Sequence, residues 1–210
     1  ILKNTAIYMN LTYDGEHWID VYGNLTVLNS IITAYNTSNN YFIRVFSGAK
    51  LRIENSEISY AGYGEVYEDR WGIWINTENA IIKGTEIHDN YYGLYLYRAN
   101  NSLIYNCTIR YSHDGIRIVR LSGAYIHNNT IENNTYWAVS IFWSSGIYIF
   151  NNTFLDNNKG GVSLKYSTDN HIYDNNISNS VLEGIYLYYS DRNHIYGNII
   201  RAYGDYGVYL

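Results

Sequence analysis

The chain lacks proline and has a single cysteine, Cys107, among its 210 residues. One cysteine excludes an internal disulfide framework. No apolar run approaches the roughly 20 residues that span a bilayer, so we expect no membrane span. No secretory leader is visible, although the chain begins at Ile1 without Met. Acidic residues outnumber basic ones by 19 to 14, and the basic residues form no cluster. We therefore expect no nucleic-acid partner.

What the chain does contain is a repeat of about 23 residues. Each copy has an early apolar residue, a second one five positions later, and a late tetrad in which apolar residues alternate. A spacing of two within the tetrad is typical of a strand. A fixed period of this size predicts a stacked solenoid. The early position is held by Val27, Ile53, Ile82, Ile104, Ile126, Ile149, Ile172 and Ile195.

A small polar residue recurs three positions after each early apolar residue. Stacked side chains at these positions are predicted to hydrogen-bond along a column and to satisfy the turn backbone. Cys107 holds one such position, so we predict a small buried thiol and not a nucleophile. The members of this polar ladder are Ser30, Ser56, Thr85, Cys107, Asn129, Asn152, Asn175 and Asn198.

Together these patterns predict an all-β fold, a parallel β-helix of about eight coils of 22–30 residues with three short strands each. Residues 1–22 are expected to form a partial coil or cap, and residues 23–210 the β-helix. On the stretch NHIYDNNISNSVLEGIYLYYSDRNHIYGNII, residues 170–200, the sequence resembles the right-handed single-stranded parallel β-helix repeat proteins. That family includes pectin-degrading enzymes, carbohydrate-binding and sugar-hydrolase domains, and periplasmic proteins of copper-enzyme maturation, so the resemblance implies fold more than function.

Residues that flank the early apolar position must point outward. They predict an aromatic stripe along several coils, which either only stabilises the sheet or also contacts a glycan or another protein. His171 and His194 share one position in successive coils, which makes them a weak candidate pair for a metal, although no third ligand is evident. The stripe comprises Tyr125, His127, Tyr148, Phe150, His171, Tyr173, His194 and Tyr196.

Catalysis on polysaccharides requires carboxylates that converge from neighbouring coils. The only carboxylates in outward positions are Glu54 and Asp20. We therefore assign no catalytic residue and expect no cofactor. The acids in turns, Asp114 among them, are interpreted as caps or solvated side chains. A long insertion, residues 61–71, could form one wall of a groove. Its candidate residues are Tyr63, Glu65, Tyr67, Glu68, Asp69 and Trp71.

Nine Asn-x-Ser/Thr sequons and a composition rich in Tyr and Asn resemble cell-surface proteins of heat-loving archaea. Sequons outside the ladder are the better glycosylation candidates, namely Asn10, Asn36, Asn100 and Asn133.

These observations favour an extracellular, non-enzymatic module of a surface layer, filament or adhesin, whose partners are other copies of the chain or another surface protein. The last coil is unfinished at Leu210, which suggests a processed product, a piece of a longer protein, or a unit that stacks on a neighbour. One alternative is a carbohydrate-binding or polysaccharide-cleaving β-helix. The second is a periplasmic copper accessory protein.

Overall fold

The computed structural model describes residues 1–64, 67–202, 204 and 206–210. Its strands form three parallel sheets of nine strands each, which we call sheets A, B and C. The chain passes through A, B and C in turn and then starts the next coil. Each strand pairs in register with its counterpart one coil away, for example Ile149 with Ile126 and with Ile172. The predicted all-β parallel β-helix is therefore confirmed.

The strands of sheet A are Leu2–Lys3, Asn24–Leu28, Lys50–Glu54, Ile81–Lys83, Ser102–Tyr105, Ser122–His127, Ser145–Phe150, His171–Tyr173 and His194–Tyr196. Those of sheet B are Ala6–Met9, Ile31–Ala34, Glu57–Ser59, Glu86–His88, Thr108–Arg110, Thr130–Glu132, Thr153–Leu155, Asn176–Ser180 and Ile199–Ala202. Those of sheet C are Trp18–Val21, Phe42–Val45, Gly72–Ile75, Tyr92–Tyr97, Asp114–Val119, Trp137–Phe142, Gly160–Lys165, Glu183–Tyr188 and Val208–Tyr209. A short 3₁₀ turn covers Glu68–Arg70.

The coils number nine, where the sequence predicted about eight. The additional coil lies before residue 23, in the stretch expected to be a partial coil or cap, and it supplies one strand to each sheet. Leu2 pairs with Val27, Ile7 with Ile32, and Trp18 with Phe42. Its residues keep the spacing of the coil above, with Leu2, Ile7 and Ile19 in the positions of Val27, Ile32 and Ile43, so this stretch is a complete coil.

The core consists of the apolar columns that the repeat predicts. Ile82, Ile104, Ile126, Ile149 and Ile172 are fully buried and stack on one another along sheet A. Burying an isoleucine side chain contributes about 1.5–3 kcal/mol relative to leaving it in water. Stability therefore accumulates coil by coil from equivalent neighbours.

The polar ladder is also confirmed. Asn152 donates from Nδ2 to the carbonyls of Ile126 (2.9 Å) and Phe150 (3.0 Å), and its Oδ1 accepts from the backbone of Asn129 at 2.9 Å. Cys107 occupies its predicted buried position, and its backbone N–H donates to Asn129 at 2.9 Å. Burial raises the pKa of its thiol to about 11, which keeps it protonated and unreactive near neutral pH.

The corners between sheets differ in residue type. At the corner from A to B the chain turns through a left-handed residue, and every such residue is Asn, Asp or Gly, the types that tolerate this conformation. They are Asn4, Asn29, Asn55, Gly84, Asn106, Asn128, Asn151, Asp174 and Gly197. At the corner where sheet C ends, the left-handed residues that directly follow the strands are large instead, namely Arg98, Arg120, Trp143, Tyr166 and Tyr189.

Candidate functional site

The predicted aromatic stripe lies on the outer face of sheet A as two columns of stacked rings. In one column Tyr125, Tyr148, His171 and His194 follow one another with ring centroids 4.6–5.1 Å apart and nearly parallel planes. In the other, His127, Phe150, Tyr173 and Tyr196 do the same at 4.9–5.0 Å. The rings cover one another's faces, so mainly their edges meet solvent. A role in binding a glycan or partner stays a prediction.

His171 and His194 stack as the sequence predicts, with centroids 4.8 Å apart and planes 6° from parallel. Tyr148 covers the other face of His171 at 4.6 Å. Within the described residues, no group of three or more His, Cys, Asp or Glu side chains converges on a point that could hold a metal ion. Burial lowers the pKa of His127 in the second column, which favours a neutral ring in the stack.

The insertion at residues 61–71 folds down onto sheet C. Arg44 on the outer face of that sheet pairs with Asp20 at 2.7 Å and with Asp69 of the insertion at 2.9 Å. Tyr63 is buried with its ring 6.4 Å from Phe42, whereas Tyr67 is exposed. The insertion is therefore anchored by charge at one end and by an aromatic contact at the other. Glu65, also predicted for this wall, lies outside the described residues.

This insertion covers the lower part of the outer face of sheet C. Trp71 stacks on Tyr95 with centroids 6.4 Å apart, and Glu68 accepts a hydrogen bond from the Tyr95 hydroxyl at 3.0 Å. Trp74 and Tyr95 occupy equivalent positions of the late tetrad on the outer face, but the insertion buries them. Burial and the Glu68 carboxylate raise the pKa of Tyr95 well above its ordinary value. Glu68, Asp69 and Trp71 thus serve to close this part of the face.

Beyond the insertion, Asp114 forms the centre of a polar cluster that the sequence did not predict. The interpretation of Asp114 as a turn carboxylate is wrong, because it begins a strand of sheet C and is completely buried. Its carboxylate accepts from the backbone N–H of Trp137 at 3.1 Å and from the Ser140 hydroxyl at 2.7 Å. Arg117 Nη1 lies 3.5 Å and His113 Nδ1 3.7 Å from this carboxylate. The coil above therefore holds the carboxylate in place.

Aromatic rings surround the Arg117 guanidinium. Its Cζ lies 4.3 Å from the ring centroid of Phe142 and 5.1 Å from that of Tyr92. Within the described part of the chain its Nε atom is buried without a hydrogen-bond partner. Desolvation raises the pKa of Tyr92 well above its ordinary value, against the opposing effect of Arg117. A partly buried cation with a spare donor thus lies between two rings.

His113 extends the cluster toward the corner between sheets B and C. Its ring stacks between those of Tyr91 (5.5 Å) and Tyr136 (4.8 Å). Lys159 donates to the Tyr136 hydroxyl at 2.8 Å, which places a second cation on this side. The His113 Nδ1 atom has no hydrogen-bond partner among the described residues. The only sequence signal for this cluster is that Arg117 lies in an outward position of the tetrad.

Above Arg117, the same outward column continues with Ser140 and Ser163. Both are fully buried, and the Ser163 hydroxyl lacks a hydrogen-bond partner among the residues the structure describes. The Trp137 ring approaches Tyr186 to 6.0 Å and contacts the Cα side of Gly160. The Asp114 cluster, defined as His113, Asp114, Arg117, Ser140 and Ser163, thus combines an acid, a base, a cation and hydroxyls between aromatic walls.

The predicted glycosylation sites are placed differently from one another. Asn10, Asn36 and Asn133 are exposed, as a glycan acceptor must be. Asn100 is half-buried, because its amide donates to Glu78 at 3.1 Å and accepts from the Ser122 backbone at 2.7 Å. Their modification remains a prediction.

The three stacked parallel sheets with clusters on their outer faces define a β-solenoid protein. The family model described as "Right handed beta helix region" matches residues 18–135 and 71–210. The chain therefore belongs to this right-handed β-helix family. No curated protein matches the sequence. Among the described residues, the helical segment is far shorter than a membrane span.

Solved structures with a similar fold include the periplasmic alginate epimerase AlgG. Its T265N mutant superposes with a TM-score of 0.81 at 20% identity, over 92% of this chain and 52% of that one. The unsubstituted AlgG gives 0.70 at 19% identity, over 92% and 56%. The chain thus spans about half the length of these proteins, and at this identity the similarity shows the fold.

Proposed function

We propose that this protein binds a polysaccharide on the outer face of sheet C, centred on Arg117. The observation that carries the proposal is the Asp114 cluster, in which a carboxylate fixes a cation between Tyr92 and Phe142. Carbohydrate sites combine ring faces with a few polar groups in fixed positions. The Arg117 side chain remains 20% exposed, which leaves part of it open to a sugar hydroxyl or carboxylate.

Two observations favour this function over a purely structural surface module. The sequence shows no carboxylates that converge from neighbouring coils, but it does not reveal the Asp114 cluster, in which one carboxylate lies 3.7 Å from His113 and 3.5 Å from Arg117. In addition, the fold is shared with proteins described as alginate epimerases. The description of AlgG as periplasmic also supports a location outside the cytoplasm. Participation in a surface assembly is a separate proposal, which glycan binding does not exclude.

The same cluster supports polysaccharide modification as a second candidate. The His113 side chain is 35% exposed, and its Nδ1 atom lies 3.7 Å from the Asp114 carboxylate, which can orient the ring. A neutral imidazole can accept a proton from a sugar carbon or hydroxyl. Arg117 pairs with the same Asp114 carboxylate, and its guanidinium can also bind the carboxylate of an acidic sugar. Incubation with alginate, followed by NMR of the anomeric protons, tests for epimerisation. Ultraviolet absorbance of unsaturated ends tests for cleavage, and His113→Ala should abolish either activity.

Binding is tested by calorimetry with alginate, polygalacturonate and cellulose oligosaccharides. We expect Arg117→Ala to lower the affinity for the tightest-binding ligand by at least about tenfold, which corresponds to about 1.4 kcal/mol. Arg110→Ala is the matched control, because Arg110 also makes an ion pair on an outer face, with Glu86 of sheet B. Equal affinity of the two variants and the unsubstituted protein would refute a site at Arg117.

A further inference from the structure

The corner at which sheet C ends has large left-handed residues, whereas the A-to-B corner has only Asn, Asp or Gly in this conformation. Each of the five left-handed residues there, the corner strip, is Arg, Trp or Tyr, with φ between 46° and 54°. A residue other than Gly, Asn or Asp in this conformation costs conformational free energy. The A-to-B corner avoids that cost in all nine coils. The corner strip consists of Arg98, Arg120, Trp143, Tyr166 and Tyr189.

These side chains are not recruited into the core. Trp143 is 56% exposed, Tyr166 46% and Tyr189 72%. Their planes are within 8° of parallel, yet their centroids are 5.6–6.0 Å apart, farther than in the columns of sheet A. The rings therefore overlap less and present part of their faces to solvent. Local strain that yields exposed aromatic side chains points to binding rather than to stability.

Below the rings, the corner strip continues into a cationic groove. A groove of about 1000 Å³ is lined by Arg98, Arg120, Lys50 and Arg52, with Glu78 as the acid. Arg52 pairs with Glu54 at 2.6 Å, and Glu78 accepts from the Asn100 amide. Lys50, Arg98 and Arg120 form no ion pair with any described residue. The rest of the lining is mostly hydroxyl and amide side chains, which suits a ligand rich in hydroxyl groups.

We propose that the corner strip and the groove form a second binding site for a linear acidic glycan. The sugar rings lie against Tyr189, Tyr166 and Trp143, and carboxylate or sulfate groups farther along the chain bind Arg120, Arg98 and Lys50. Arginine provides the charge-assisted hydrogen bonds that such groups accept. This site is distinct from the site at Arg117, because the two share no residue.

The test uses calorimetry with hexagalacturonate as the acidic probe, cellohexaose as the neutral probe and oligothymidylate as a non-sugar polyanion. The variants are Trp143→Gly and Arg120→Gly, since Gly suits the left-handed backbone and should leave the melting temperature unchanged. Asn128→Gly is the matched control at the A-to-B corner, where the side chain is exposed at a φ of 56°. We expect each corner variant to weaken hexagalacturonate at least tenfold, the control to bind normally, and added salt to reduce affinity.

The outcomes separate this site from the one at Arg117. Loss of hexagalacturonate binding in the corner variants with normal binding by Arg117→Ala supports the corner site and shows that this ligand does not use the site at Arg117. Loss only in Arg117→Ala overturns the corner site and leaves the proposed function in place. Binding of cellohexaose but not hexagalacturonate also overturns the corner site alone. Oligothymidylate bound as tightly as hexagalacturonate overturns the assignment to a glycan.

Discussion

At the scale of single residues, position in the repeat decides whether a polar group is structural. Asn151 and Asn152 are adjacent, yet the first is exposed in a left-handed turn and the second is buried in the ladder. The sequence predicted the second role, because the period aligns Asn152 with Asn129 and Asn175. It could not predict the role of Asp114, whose burial depends on Trp137 and Ser140 from the next coil.

The ladder predicts a stability difference between those two neighbours. Asn152→Leu should lower the free energy of unfolding by roughly 1–3 kcal/mol, because the Ile126 and Phe150 carbonyls and the Asn129 N–H lose their partner. Asn151→Gly keeps the turn and should change the free energy of unfolding by less than about 1 kcal/mol. Denaturant unfolding followed by circular dichroism measures both, and an unchanged midpoint for Asn152→Leu contradicts the ladder.

Cys107 predicts a dependence of stability on pH. Its pKa is raised from 9.0 to about 11 in the folded protein, so the folded state keeps the thiol proton that the unfolded state releases. The associated stability is complete below about pH 9 and is lost as pH rises toward 11, by roughly 2–3 kcal/mol. Other groups also change protonation at high pH, so the comparison is with Cys107→Ser, which retains a small hydroxyl as at Ser30. Parallel stability curves for the two proteins would refute the burial effect.

At the scale of elements, the insertion at residues 61–71 determines which part of sheet C is open. The repeat identified the insertion, and its late tetrad contains Trp74 and Tyr95 in equivalent positions. It could not show that the two meet, because Arg44, Asp20 and Asp69 come from three different coils. Arg117 is consequently the first partly exposed outward residue of sheet C beyond the insertion.

Removal of this anchor should release the insertion. Arg44→Ala leaves Asp20 and Asp69 without their shared cation, which should destabilise the closed arrangement by roughly 2 kcal/mol. We expect a red shift in tryptophan fluorescence as Trp71 and Trp74 meet water, and faster trypsin cleavage after Arg70. Arg110→Ala, which removes an ion pair on sheet B, should show neither change. A spectrum identical to that of the unsubstituted protein would contradict the anchoring role.

At the scale of the whole molecule, nine similar coils make stability a sum of local terms. The period predicted the strands, the core and the stacked aromatic columns, because these repeat. The Asp114 cluster escaped prediction, because it arises from residues that do not recur, and the first coil was predicted only as a partial coil or cap.

The loss of structure caused by a charge in the core should therefore depend on the coil in which the charge is placed. Ile149→Asp places an unpaired carboxylate in a fully buried column and should unfold the central coils at a cost of several kcal/mol. Ile195→Asp, in the last strand of sheet A, is only partly buried and should merely fray that end. Circular dichroism melts compare the two, and equal loss of structure would contradict additive coils.

The most direct measurement of the central claim is a crystal structure of the protein soaked with an alginate oligosaccharide. We predict sugar density on the outer face of sheet C, with a hydroxyl or carboxylate oxygen within hydrogen-bond distance of the Arg117 guanidinium and a sugar ring beside Phe142. An Arg117→Ala crystal treated in the same way should show none at that position. Density confined to the stacked rings of sheet A, or no density on sheet C at a saturating concentration, would contradict the account.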